Sequence, residues 1–133
     1  VGISESGNHD NRNYEDDWGE RYIGLMKTDD NGVNNYEVQA NQIYAKNLVG
    51  KLMIAHGAMD DNVPISNSYL VVDALIKANK DFDLIVFPNA RHGFGMDGLY
   101  MMRKRWDYFV THLQGNIPPP GYKIEFERRV NQP

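Results

Sequence analysis

The 133-residue chain is 41% apolar, 24% charged and 11% aromatic, close to the averages of globular domains, which excludes a disordered or fibrous polypeptide. A net charge of −4, with no dense block of Lys or Arg, argues against a nucleic-acid partner. Cysteine is absent, which excludes disulfide scaffolds, thiolate metal sites and thiol nucleophiles, so any nucleophile is an oxygen or a nitrogen. No stretch approaches the roughly 18–20 apolar residues of a membrane helix, and residues 1–13 lack the basic and apolar regions of a signal peptide. The expectation is a chain without a membrane span. Its abrupt start at Val1-Gly2-Ile3-Ser4, with no initiator Met, suggests a piece of a larger polypeptide.

Residues 5–42 are polar and turn-rich, punctuated by Gly7-Asn8-His9-Asp10-Asn11, Asp29-Asp30-Asn31-Gly32 and Asn34-Asn35. They read as long loops with brief helices at residues 17–24 and 36–46. Leu52-Met53-Ile54-Ala55 is a short continuous apolar run that ends in His56-Gly57, as expected of a strand buried on both faces. After a loop rich in Asp, Asn and Pro, residues 66–80 place Tyr69, Val72, Leu75 and Ile76 at helical spacing, with Ser66 as N-cap and Asn79-Lys80-Asp81 as the stop. Residues 82–87 form a second apolar run, broken by Pro88-Asn89, and a further helical pattern covers residues 99–113. Strand, helix, strand, helix implies an α/β fold with a mostly parallel sheet. Pro118-Pro119-Pro120-Gly121 ends helical structure and opens a Pro-rich tail over residues 115–133, in which the alternation of residues 122–129 predicts an edge strand or an arm.

In open α/β sheets the working groups sit in loops at the carboxyl ends of parallel strands, here residues 57–64 and 89–98. The first offers Asp60 and the second His92. An acid after one strand and a histidine after the next is the order in which α/β-hydrolases supply the last two members of a Ser, Asp, His triad. The chemistry requires these types. A serine hydroxyl is a poor nucleophile at neutral pH, so an imidazole accepts its proton while a carboxylate fixes the imidazole's tautomer and stabilises its charge. The alternatives are plain ones, with Asp60 a turn residue or helix cap and His92 a surface or packed residue.

His56-Gly57-Ala58-Met59-Asp60-Asp61-Asn62-Val63, residues 73–82 and His92-Gly93-Phe94, together with Gly19-Glu20-Arg21-Tyr22-Ile23-Gly24-Leu25 upstream, resemble the end of the prolyl oligopeptidase family, in particular its dipeptidyl peptidase IV branch. The resemblance runs from about Ser4 to about Gln114. It implies the C-terminal part of an α/β-hydrolase catalytic domain occupying residues 1–133, with Asp60 as the triad acid and His92 as the base. Asp61 is left to brace the turn. The family's substrate-contacting Asn falls on Asn62, and its paired aromatics at the proline pocket fall on Tyr14 and Trp18. Trp18 stands where the best-known members carry Tyr, which alters the depth of the pocket, and core packing is the plain alternative for both aromatics. The resemblance further implies a peptide substrate, no cofactor, a homo-oligomer in the full-length enzyme, an upstream hydrolase portion with an N-terminal propeller, and a periplasmic or secreted location.

No Gly-x-Ser-x-Gly occurs. Gly2-Ile3-Ser4-Glu5-Ser6-Gly7 comes near, but Ser6 stands where the closing glycine belongs, and Ser4 and Ser6 read as structural. The serine and the oxyanion donors are therefore expected upstream. Gly93-Phe94-Gly95-Met96-Asp97-Gly98 fits G-x-G-x-x-G, but the Pro118 run stands where the fingerprint needs an acid. Asp29-Asp30-Asn31-Gly32 departs from the calcium-loop register, with Val33 at a ligand position, and neither His9-Asp10 nor His112 has zinc-site spacing, so no metal is expected. The expected function is that of a serine peptidase removing Xaa-Pro or Xaa-Ala dipeptides from peptide N-termini. The competing class is a non-catalytic binding or interaction module on the same scaffold.

Overall fold

A computed structural model describes residues 1–125. Three strands, β1 (Gly2–Glu5), β2 (Leu52–Gly57) and β3 (Asp83–Phe87), form one parallel sheet in the order β1-β2-β3. Three helices accompany it: α1 (Asp16–Ile23), α2 (Ser66–Lys77) and α3 (Gly98–His112). The central strand is covered on both faces. Its alternation sends Met53 and Ala55 to one side, where they pack with Phe87, Ala90, Phe94 and the α3 residues Met101 and Tyr108. Ile54 goes to the other side, against Ala45 and the α2 residues Val71 and Leu75. A continuous apolar run is what a strand in that position needs.

Several expectations are corrected. β1 is absent from the sequence reading because its four residues carry no resolvable periodicity; its identity as a strand comes from pairing with β2, Ser4 opposite Ile54. Residues 36–46 do not make one helix. They form two 3-10 segments, Glu37–Gln39 and Asn41–Asn47, separated by the extended Ala40. In α2 the N-cap is Ile65 with no side-chain cap bond, and Ser66 is the first helical residue, whose hydroxyl accepts a hydrogen bond from Asn13 Nδ2 at 2.9 Å. The inward face of α2 is also not the apolar stripe read from spacing. Asn67, Ser68, Val71 and Leu75 are buried, whereas Tyr69 and Ile76 are exposed. The helix ends before Asn79, which adopts a left-handed φ of 52°, with Asn79 N–H donating to Ile76 O and Lys80 N–H to Leu75 O, both at 3.0 Å. This is a Schellman closure with Asn in place of Gly.

Two glycines are dictated by close approach. Gly19, midway along α1, lets the buried Tyr36 ring lie where a Cβ would be 2.9 Å from it, and the Tyr36 hydroxyl donates to Gly24 O at 2.8 Å. Gly57 matters more, because a Cβ there would stand 2.3 Å from Ala90 O and 2.7 Å from Arg91 O. The loop that carries His92 thus crosses directly over the end of β2. A Gly57→Ala replacement is expected to push that loop away and to cost roughly 1–3 kcal/mol of stability by overpacking. Thermal unfolding of the variant checks this, and an unchanged Tm contradicts it.

Beyond α3, residues 113–125 form turns and extended chain. Tyr122 docks back on α3, its hydroxyl donating to Asp107 Oδ1 at 2.9 Å and its carbonyl accepting from Arg103 Nη1 at 2.6 Å. Residues 122–125 are not in a strand, and the remainder of the expected strand or arm lies outside the described residues. Among the described residues no helix is long and apolar enough to cross a membrane.

Candidate active site

The loop after β2 folds around one carboxylate. Asp60 Oδ1 accepts from the backbone N–H groups of Asn62 and Val63, both at 3.0 Å, forming an Asx-type turn, while Oδ2 lies 3.0 Å from His92 Nδ1. The Asp60 side chain is fully buried and that of His92 is 44% exposed. Burial on its own pushes the Asp60 carboxyl up, but the hydrogen bonds from Val63, His92 and Asn62 and the nearby imidazole outweigh it and hold the carboxyl below the ordinary range. Asp60 is therefore an ionised acceptor at neutral pH. Such a partner requires Nδ1 of His92 to carry a proton, so in the neutral ring the lone pair is on Nε2. Nε2 makes no hydrogen bond among the described residues.

His92 is presented by a turn with three successive residues at positive φ, Gly93 at 78°, Phe94 at 67° and Gly95 at 49°. A left-handed phenylalanine is uncommon, and packing enforces it. The buried Phe94 ring lies 4.7 Å from that of Phe87. Asp61 points the other way, to an exposed pair with Arg91 that contributes little to stability.

The residues on the other side of the loop also converge. Tyr14 donates its hydroxyl to Asn62 Oδ1 at 2.8 Å, across 48 positions of sequence. Desolvation and the neighbouring charges of Glu15, Asp17 and Asp60 raise the Tyr14 phenol above its usual value, so it stays a neutral donor. Four residues on, in α1, the Trp18 ring meets that of Tyr14 edge-on at 6.2 Å and leans on Tyr22 at 4.5 Å. Trp18 is 48% exposed, which sets it apart from the core. Ser4 and Ser6 are elsewhere. Ser4 Oγ lies 3.2 Å from His9 Nε2, and the Ser6 hydroxyl is buried without a partner.

Two residues at this site are missing from the sequence reading. His56, at the end of β2, is fully buried, with Nε2 2.9 Å from Val63 O and 3.2 Å from Asp60 Oδ2, and Nδ1 2.7 Å from Ser68 Oγ. Asn67 is equally buried. Its Oδ1 accepts from the N–H groups of His9 and Asp10 at 3.2 and 3.0 Å, and its Nδ2 donates to Asn13 O at 2.8 Å, so α2 holds the segment that carries Tyr14. A histidine terminating a run buried on both faces is the signal that identifies His56, since a buried imidazole requires partners. No group of three His, Asp or Glu side chains that could hold a metal ion occurs among the described residues.

A parallel sheet flanked by helices, with its polar loops gathered at the carboxyl ends of the strands, is the architecture of an α/β-hydrolase, and peptidases of that fold are its structural neighbours. The chain belongs to the prolyl oligopeptidase family, whose family model matches residues 1–116. It is 29% identical over 106 residues to a probable dipeptidyl-aminopeptidase B of Trichophyton verrucosum, an alignment covering 79% of this chain and 12% of that protein. Among solved structures it superposes on Porphyromonas gingivalis dipeptidyl peptidase 4 with a TM-score of 0.69 and 29% identity, covering 82% of this chain and 15% of that one. A putative dipeptidyl aminopeptidase IV from Bacteroides ovatus gives a TM-score of 0.74 and 26% identity, covering 84% and 16%. The chain thus spans about an eighth to a sixth of the length of these relatives.

Proposed function

We propose that this chain is the C-terminal part of the catalytic domain of a serine peptidase that removes N-terminal dipeptides, with Asp60 as the orienting acid and His92 as the general base. The observation that carries the reading is the Asp60–His92 pair at 3.0 Å, with Asp60 fully buried and held ionised and His92 half exposed. In this reading His92 Nε2 removes the proton of a serine supplied by polypeptide outside this chain, as that serine attacks the scissile carbonyl. The imidazolium, stabilised by Asp60, then gives the proton to the leaving amine. A water repeats the sequence on the acyl-enzyme and releases the dipeptide. Tyr14, Trp18 and Asn62 form one side of the pocket, two aromatic faces for a compact proline or alanine side chain and an amide for the neighbouring carbonyl.

The chain contains no Gly-x-Ser-x-Gly, and its serines nearest the sheet, Ser4 and Ser6, do not touch His92. The isolated polypeptide is therefore expected to show no turnover of a Gly-Pro chromogenic substrate and no labelling by an active-serine phosphonate. The complete peptidase that contains this segment is expected to show both. Phosphonate on Ser4 or Ser6 contradicts the reading.

A further inference from the structure

Asp60 Oδ2 has a second imidazole beside it. His56 sits on β2, four residues before the carboxylate, and both side chains are fully buried, with Nε2 3.2 Å from Oδ2. The protonation of the ring follows from its neighbours. The two groups that face Nε2, the Val63 carbonyl and the Asp60 carboxylate, only accept, so Nε2 carries a proton. In the neutral ring Nδ1 is then an acceptor, and the buried Ser68 hydroxyl, 2.7 Å away on α2, donates to it. The Val63 contact reaches the same carboxylate by another route. Val63 O accepts from His56 while Val63 N–H donates to Asp60 Oδ1 at 3.0 Å, so the imidazole braces the turn that holds the acid.

We propose that His56 is a positioning residue of the acid–base pair: it holds the Asp60 turn through Val63 and keeps an N–H dipole beside Oδ2, thereby limiting the negative charge that the carboxylate presents to His92. The inference rests on the reading of Asp60 and His92 as acid and base. Three N–H groups donate to the carboxylate, those of Asn62 and Val63 at Oδ1 and that of His92 at Oδ2, and His56 Nε2, whose N–H donates to Val63 O, stands 3.2 Å from Oδ2 and adds its dipole. A carboxylate so surrounded has its charge spread over all of them. Removing the His56 N–H leaves more negative charge facing His92, which stabilises the imidazolium and raises its proton affinity. The other titratable or charged groups around this cluster are Tyr14 and His9, from the segment after β1, and the exposed Asp61–Arg91 pair at the rim.

The test is the pH profile of kcat/KM for a Gly-Pro chromogenic substrate, measured on the complete peptidase. In His56→Asn the amide reaches Ser68 but stops short of Asp60, and the acidic limb is expected to move up by about half to one pH unit. In His56→Gln the amide reaches the position of Nε2, and the limb is expected to return to the wild-type pH. A limb that stays at the wild-type pH in His56→Asn while Tm falls overturns the proposal, because a merely structural histidine lowers stability without moving the titration. If His56→Asn fails to accumulate, Ser68→Ala gives the second reading. It frees Nδ1 and is expected to shift the limb in the same direction by less, and an unmoved limb again overturns the proposal. His92→Ala and Asp60→Asn are the controls. If either retains wild-type kcat the acid–base reading itself fails, whereas if both are inactive and the His56 variants titrate as wild type, only the positioning role falls.

Discussion

In the complete peptidase, Asp60→Asn is expected to lower kcat by about four orders of magnitude, as the same change does in another Ser, His, Asp triad. The buried carboxylate accepts from Nδ1 of His92 at 3.0 Å, so it dictates which ring nitrogen carries the proton. An amide in its place can turn its NH2 toward Nδ1 and favour the opposite tautomer, leaving no lone pair for the serine. Asp61→Asn is expected to cost far less, because Asp61 is exposed and paired with Arg91 at the surface. Steady-state kinetics on the two variants separates them. If Asp61→Asn is the more damaging, the acid has been assigned one residue too early.

The second large effect concerns specificity. Trp18 is half exposed and touches Tyr14, which is itself bonded to Asn62, so the three side chains form one connected surface next to the acid loop. A proline ring is compact, rigid and apolar, and flat aromatic walls bury it at little entropic cost. Trp18→Ala is expected to lower kcat/KM for Xaa-Pro substrates by roughly 2–4 kcal/mol of transition-state binding. Xaa-Ala substrates, which offer the wall less surface, are expected to lose less, so the preference for Pro shrinks. Because the indole lies outside both core clusters, Tm is expected to change little. Equal losses for both substrates with a marked fall in Tm would make Trp18 a packing residue.

Much of the architecture is legible in the sequence, and its limits are physical. β2 is visible because a parallel strand buried on both faces is a nearly continuous apolar run, β3 is visible as an apolar run although it is half exposed at the edge of the sheet, and Asp60 and His92 stand out because they follow those runs in the loops where α/β sheets keep their chemistry. β1 is invisible, since four residues carry no periodicity and the strand exists only through its partner. The face of α2 misleads for a different reason. Apolar spacing points to Tyr69 and Ile76, whereas the first turn is drawn inward by polar needs, with Asn67 holding the segment 9–13 and Ser68 meeting His56. Hydrophobic periodicity records which residues avoid water. It says nothing of a buried hydrogen-bond network that needs Asn, Ser and His in the interior. The Tyr14–Asn62 bond is beyond any local pattern, because it closes across 48 positions.

The most direct test of the account is a double-mutant cycle in the complete peptidase, with kcat/KM measured for His92→Ala, Asp60→Asn and the two combined. Residues that act as one unit give losses that do not add. If Asp60 serves catalysis only through His92, the double variant is no slower than His92→Ala alone. Losses that multiply, so that Asp60→Asn further slows an enzyme already lacking His92 by its full single-mutant factor, would contradict the account.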